Sequence, residues 1–426
     1  MLTTLIILFV IGYVAIALEH PIHINKTATA LLTGVLCWTT YVLGTDDPHH
    51  VVGELSHHLS GIAEILFFLM GAMTIVELID AHQGFKIITD RISTRNVRVL
   101  LWTISIITFF LSAALDNLTT AIVMVSLLRK LIKDPEMRKF FAGIVIIAAN
   151  AGGAWSPIGD VTTTMLWIGG QITALSIMEE LFIPSLISLI VPLVYLSFTL
   201  KGEITPPSAS KNAEKIDSTS LERNLMFFFG IGGLLFVPVF KTITHLPPYM
   251  GMLLSLGVIW VLSEILHKDK DEQERKHFTA AYALSRIDTS SILFFLGILA
   301  AIGALESTHL LSDLAHWMDT TIGNQDVIIV AIGLASAVID NVPLVAASMG
   351  MYPLDLYPAD HKIWEFLAYC AGTGGSILII GSAAGVAVMG MEKIDFIWYM
   401  RRISFTALIG YFAGVLAYLA IFALIK

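Results

Sequence analysis

Three aspartates stand where a water-soluble protein would not put them. Asp116 and Asn117 interrupt the apolar run LSAALDNLTTAIVMVSLL at 111–128, and Asp340 and Asn341 interrupt LASAVIDNVPLVAASMG at 334–350. Asp160 closes a cluster of chain breaks in NAGGAWSPIGDVTT at 150–163. A charged carboxylate at the centre of a bilayer costs about 2.5–3.5 kcal/mol on insertion scales, so it is normally protonated, paired or bound to a cation. No Lys or Arg falls inside the expected spans. Protonation or cation binding then remains for Asp116, Asp160 and Asp340, and the chemistry open to them is the carriage of protons or metal ions. An aspartate before a helix also caps exposed N–H groups, and the two roles are compatible if Asn117 and Asn341 do the capping while the aspartates titrate.

Around Asp160 the sequence gathers further oxygens. Asn150 precedes breaks at Gly152, Gly153, Pro157 and Gly159, and Thr162 and Thr163 follow them. Hydroxyl, amide and carboxylate oxygens, with carbonyls freed by unwinding, are hard ligands suited to Na⁺ or Li⁺. Asp116, Asp160 and Thr163 are the expected Na⁺ ligands. Each threonine alone is expected to bond its own helix backbone; the cluster carries the signal. A second break at Gly374, Gly375, Ser376, Gly381 and Ser382 aligns Ser382 with Asp160, which leaves one side of a pseudo-symmetric site uncharged. Ser336, five residues before Asn341, lines the site or packs against it. Glu77 is a candidate proton relay, with a solvated helix end as the plainer alternative. The histidines at 49, 50, 57 and 58 lack a metal-ligand spacing, and Cys37 and Cys370 lie in apolar runs that imply no disulfide.

The elements that must position these residues repeat. The two Asp-Asn stretches are 224 residues apart, 65–78 resembles 292–305 at an offset of 227, and 150–163 matches 372–385 at 222. Three blocks in one order at nearly one offset mean an internal duplication. A hydrophobic share of 56% with 14% charged residues and a mean hydropathy of +0.79 exclude an ordinary soluble domain; no basic tract suggests nucleic acid. Spans are expected near 2–18, 27–43, 59–80, 181–200, 224–240, 249–266, 287–304 and 403–425. The first is expected to be a retained span rather than a signal peptide, since no Lys or Arg precedes it.

Residues 99–128 are too many for one crossing and too few for two, so they form a re-entrant hairpin with Asp116 and Asn117 at its tip. A second hairpin is expected at 326–352. The overlong runs 139–178 and 363–391 are broken helices, 305–324 is an amphipathic connector, and 202–223 is a cytoplasmic linker. The expected fold is an all-α polytopic membrane protein of two inverted-topology repeats, 1–201 and 224–426, each with five crossings, one re-entrant hairpin and a discontinuous helix. This arrangement puts 22 of the 25 Lys and Arg on the cytoplasmic side, all but Lys241, Lys362 and Lys426, as such residues distribute. Treating both hairpins as single crossings leaves 9 there. Both termini fall on the outer side.

The duplicated Asp-Asn tips, NAGGAWSPIGDVTTTMLW at 150–167 and GTGGSILIIGSAAG at 372–385 resemble NhaD-type sodium/proton antiporters of the ion transporter superfamily, over nearly the whole chain. The resemblance implies Na⁺ and Li⁺ efflux in exchange for H⁺ by an elevator-like displacement, in the inner (plasma) membrane. It implies functional roles for Asp116, Asn117, Asn150, Asp160, Thr162, Thr163, Ser336, Asn341, Ser376 and Ser382; Asp340 enters through the repeat. No enzymatic activity, cofactor or nucleic-acid partner is expected, only the transported ions and the bilayer, with a homodimer as the candidate assembly. Two other readings compete. A sodium-coupled dicarboxylate or arsenite carrier would share the fold, but a carboxylate at a hairpin tip repels an anion. An intramembrane aspartyl protease would need Gly-x-Gly-Asp where this chain has Pro157-Ile158-Gly159-Asp160.

Overall fold

The computed structural model describes residues 1–89, 92, 94–200, 202–204, 219–271 and 275–425. Most of the expected linker at 202–223 lies outside them. Regular structure among the described residues is helical, apart from an isolated bridge between Asn96 and Glu203. The first half holds α1 (Leu2–Ala17), α2 (Lys26–Leu43), α3 (Pro48–Ala81), α4 (Val97–Leu115), α5 (Asn117–Leu131), α6 (Pro135–Gly153), α7 (Val161–Ile168) and α8 (Ala174–Thr199). The second holds α9 (Ser220–Thr244), α10 (Pro248–Leu266), α11 (Thr289–Ser307), α12 (Leu310–Ile322), α13 (Gln325–Ala335), α14 (Asn341–Met351), α15 (Lys362–Gly374), α16 (Ala383–Glu392) and α17 (Ser404–Ile425). Among the described residues seven helices are long and apolar enough to cross a membrane, namely α3, α4, α8, α9, α10, α11 and α17.

Three boundaries differ from expectation for local reasons, the first being α9, which starts at Ser220 inside the expected linker on a capping box of Thr219 and Glu222. The polar stretch before residue 59 is helical, because Asp47 accepts from the His50 N–H and Pro48 suits a first turn. It makes α3 a 34-residue helix, about 50 Å long at 1.5 Å per residue. The expected broken helix at 139–178 ends earlier, at Ile168, since the chain turns at Gly169 and Gly170 and Thr173 caps a new helix.

Asp116 alone joins α4 to α5, at φ 116. That conformation is strained for any residue with a Cβ and is held by the Asp116 carboxylate, which accepts from the Thr119 N–H at 2.7 Å and its hydroxyl at 2.8 Å. Helix α5 runs against α6: Asn117 meets Asn150 at one end, while Arg129 and Arg138 share Glu392 at the other. Helix α13 runs with α15, tied by Lys362 and Asp326 at one end and by Ser336 and the Ala371 carbonyl at the other. The chain turns back at 336–340, which brings Tyr357, beyond α14, to the start of α13, where Gln325 donates to it at 2.7 Å.

Packing groups the helices other than α12 mainly into two sets, which meet where α11 packs on α14. Helices α1–α3 pack with α9–α11, and α4–α8 pack with α13–α17. Within the first set α2 and α11 lie side by side in parallel, joined by Thr27 to Ser290 and Trp38 to the Ala300 carbonyl. The second set carries both interrupted helices and both Asp-Asn turns.

Candidate functional site

The non-helical links at 154–160 and 375–382 and the two Asp-Asn turns meet inside the second helix set, around Asp160. Asp160 is 2% exposed. Its Oδ1 accepts from the backbone N–H and the hydroxyl of Thr162, each at 3.0 Å. Its Oδ2 accepts from Asn117 Nδ2 at 2.6 Å and faces Asn341 Nδ2 at 3.5 Å. Asn117 Nδ2 also donates to Asn150 Oδ1 at 3.0 Å, and Asn150 Nδ2 donates to Ser382 Oγ at 3.0 Å. The result is one continuous hydrogen-bonded chain over two turns and two breaks, drawn from residues up to 265 positions apart in sequence. Every donor on the Asp160 carboxylate is neutral. A buried anion held only by neutral donors is a place for a proton or a small cation.

Other expected residues are placed differently. Thr163 turns its hydroxyl to the Asp160 backbone carbonyl at 2.9 Å, Ser376 to that of Thr373 at 2.7 Å, and Ser336 to those of Gly333 and Ala371. All three are buried at the edge of the cluster. Asp116 directs both carboxylate oxygens at Thr119, not at Asp160. The expected capping by the asparagines is not what the structure shows: the aspartates cap, with Asp116, Asp160 and Asp340 accepting from the N–H groups of Thr119, Thr162 and Val342. The asparagines carry their amides into the cluster instead, because the residue before a helix has its side chain aimed at the first free N–H groups.

The expectation that no aspartate at depth has a basic partner fails for Asp340. Lys26 Nζ lies 3.0 Å from its Oδ2. Lys26 is the first residue of α2, one position before the expected span, so its flexible stem reaches inward past the boundary that charge counting assigns. Glu77 is paired with Arg286 at 2.9 Å. Both line a cavity of about 550 Å³ that also includes Asp80, Thr119, Ser126 and Lys130; it reaches the residue that holds the Asp116 carboxylate. Ser112 and Ser156 were not singled out from the sequence. Ser112 donates to the Ala149 carbonyl at 2.6 Å, where its repeat counterpart Ser336 donates to Ala371 at 3.0 Å, and Ser156 donates to the Ala113 carbonyl at 2.6 Å. The repeat alignment pairs Ser112 with Ser336 and would have found the first of them.

A family profile described as citrate transporter matches residues 13–365. Sodium/proton antiporter 2 of Arabidopsis thaliana is 51% identical over 97% of this chain and 98% of its own length, and sodium/proton antiporter 1 of the same plant is 52% identical over 97% and 72%. The Na(+)/H(+) antiporter NhaD of Vibrio cholerae is 30% identical over 97% and 90%. Among solved structures, the YdaH transporter of Alcanivorax borkumensis has a TM-score of 0.57 at 12% identity, over 90% of each chain, and shares the fold.

Proposed function

The chain belongs to the NhaD-type sodium/proton antiporters of the ion transporter superfamily, and from that premise we propose that it exchanges Na⁺, and Li⁺ with it, for H⁺ by letting protons and cations compete for one buried carboxylate. The observation that carries this is Asp160, buried and held, among the described residues, by neutral donors alone.

An asparagine amide has donors on its nitrogen and an acceptor on its oxygen. In the arrangement described, the Asn117 and Asn341 nitrogens face the carboxylate, which solvates it as an anion. Half a turn about the terminal bond would replace both nitrogens by oxygens. The same pocket would then offer a cation the Asp160 carboxylate and two amide oxygens, beside the Thr162 hydroxyl oxygen, a hard set suited to Na⁺ or Li⁺. A proton on Asp160 cancels the charge that holds the cation, so one occupant excludes the other and the flows are coupled.

We infer alternating access from the two helix sets. The turns and breaks all belong to α4–α8 and α13–α17, so this set would move as a unit against α1–α3 and α9–α11 in an elevator-like step. The chain is a multi-pass membrane protein. We assign it two inverted repeats, 1–201 and 224–426, both termini outside and the Glu77 cavity facing the cytoplasm, on the Lys and Arg distribution. A tricarboxylate substrate, which the family profile's description would suggest, meets the Asp160 charge and is disfavoured.

The test is collapse of a preset pH gradient in proteoliposomes on adding Na⁺, Li⁺ or K⁺ in turn, with labelled citrate and succinate uptake measured in parallel. Na⁺ and Li⁺ should move protons, and Asp160→Asn should abolish the response. Full Na⁺-dependent proton movement by Asp160→Asn, or uptake of either labelled acid, would sink the assignment.

A further inference from the structure

Lys26 and Asp340 join the two helix sets. Lys26 begins α2 in the first set, and Asp340 lies at the turn between α13 and α14 in the second. The ammonium sits 3.0 Å from the carboxylate and 4.5 Å from the centre of the Phe294 ring, with the two side chains 20% and 10% exposed. A charge pair this far out of water is weakly screened, and separating it leaves each partner in need of another.

One replacement partner is already present. Glu19 Oε1 accepts from the Lys26 backbone N–H at 3.1 Å, and Tyr13, Glu19, Lys26 and Asp340 line one small cavity of about 40 Å³. Glu19 precedes α2 on the same side of the divide as Lys26. If the second set moves, Asp340 leaves and Glu19 stays.

The repeat offers no equivalent on the other side. At the offset that relates the halves, the start of α2 corresponds to the start of α10, and residues 242–267 contain no Lys or Arg. A mirrored arrangement, with Asp116 brought to the start of α10, would find no ammonium on α10 itself; the preceding Lys241, at the end of α9, donates to the Trp167 carbonyl at 3.0 Å. The pair therefore favours one position of the moving set over the other.

We propose that Lys26 is a latch between the two sets: its ammonium holds Asp340 in the arrangement seen here and passes to Glu19 when the set carrying Asp340 moves. The inference rests on the elevator reading above and adds to it an inbuilt bias with an identified origin. Lys26 is a positioning residue, acting on exchange through Asp340.

A cysteine at Ser126, exposed on the wall of the Glu77 cavity, reports the bias through its rate of labelling by a membrane-impermeant thiol reagent. Lys26→Gln should slow that labelling by about threefold to tenfold, the population change expected from losing a partly buried pair. Lys26→Arg should restore the rate. Asp340→Asn should reproduce the slowing, and adding it to Lys26→Gln should slow labelling no further. Unchanged labelling in Lys26→Gln, or additive effects of the two substitutions, overturns the latch. Labelling does not depend on what is transported: if the ion assignment fails, the parent protein shows no Na⁺-driven proton movement while the labelling shift persists.

Discussion

Thr162 and Thr163 are neighbours with the same chemistry and different partners. The Thr162 hydroxyl donates to Asp160 Oδ1 at 3.0 Å, whereas that of Thr163 donates to the Asp160 backbone carbonyl at 2.9 Å. A hydrogen bond to a charged group is worth about 1.5–3 kcal/mol and a neutral one about 1 kcal/mol. Thr162→Val should therefore raise the Na⁺ concentration for half-maximal exchange about tenfold or more, and Thr163→Val less than about threefold. A Na⁺ titration of proton movement in vesicles checks this, and equal shifts would contradict the division. Asp160→Asn is an informative partner to these variants because asparagine caps a helix nearly as well as aspartate. The substitution removes the charge and keeps the start of α7.

At the scale of the elements, the second helix set is clamped at one end by a carboxylate that the sequence did not reveal. Glu392, at the end of α16, has its side chain 1% exposed and accepts from Arg129 Nε of α5 and Arg138 Nε of α6, both at 2.6 Å. Glu392→Gln removes the anion the two guanidinium groups share and puts an amide NH2 donor where one of its acceptor oxygens stood, so it should destabilise the protein by about 2–4 kcal/mol. Thermal unfolding in detergent measures it; an unchanged midpoint would show the clamp to be idle. Arg129 and Arg138 were legible only as cytoplasmic charges, since their acceptor lies 263 and 254 positions away and no local pattern connects them. The turns and breaks were legible, because an Asp-Asn inside an apolar run and a Gly-Pro-Gly cluster are local signals read twice through the repeat. What periodicity could not give was direction: which side chain at each turn caps, and which faces the cluster. Nor could it show the helical start of α3 through polar residues, since a helix extending beyond the bilayer carries no apolar signature there.

For the molecule as a whole, acid stability should hinge on a histidine pair just past the spans of the first helix set. His82, following α3, donates from Nδ1 to the Leu78 carbonyl at 2.7 Å, so its neutral Nε2 accepts from His267 Nε2, following α10, at 2.8 Å. His267 stacks on Phe278, with Glu222 at the start of α9 3.8 Å away. Burial pushes the His82 imidazole down to about 4, with the carbonyl bond of Leu78 and the nearby Glu222 opposing and His267 and Lys270 adding. Burial, then Lys270, also lowers His267. An unfolded histidine takes up its proton near pH 6.5. Below that value the unfolded chain gains a proton that the folded one refuses, so stability is complete above about pH 6.5 and falls as the pH drops toward about 4. The loss from His82 alone is on the order of 3 kcal/mol. Unfolding midpoints in detergent should accordingly decline between pH 7 and pH 4.5. His82→Gln should start lower at pH 8, having lost the ring packing, yet decline less steeply. Parallel curves for the two proteins would place the acid sensitivity elsewhere. Because the pair ties α3 to α10 beside the Glu77 cavity, its loss would loosen the frame against which the other helix set is proposed to move, and exchange should fail at a higher pH than global unfolding.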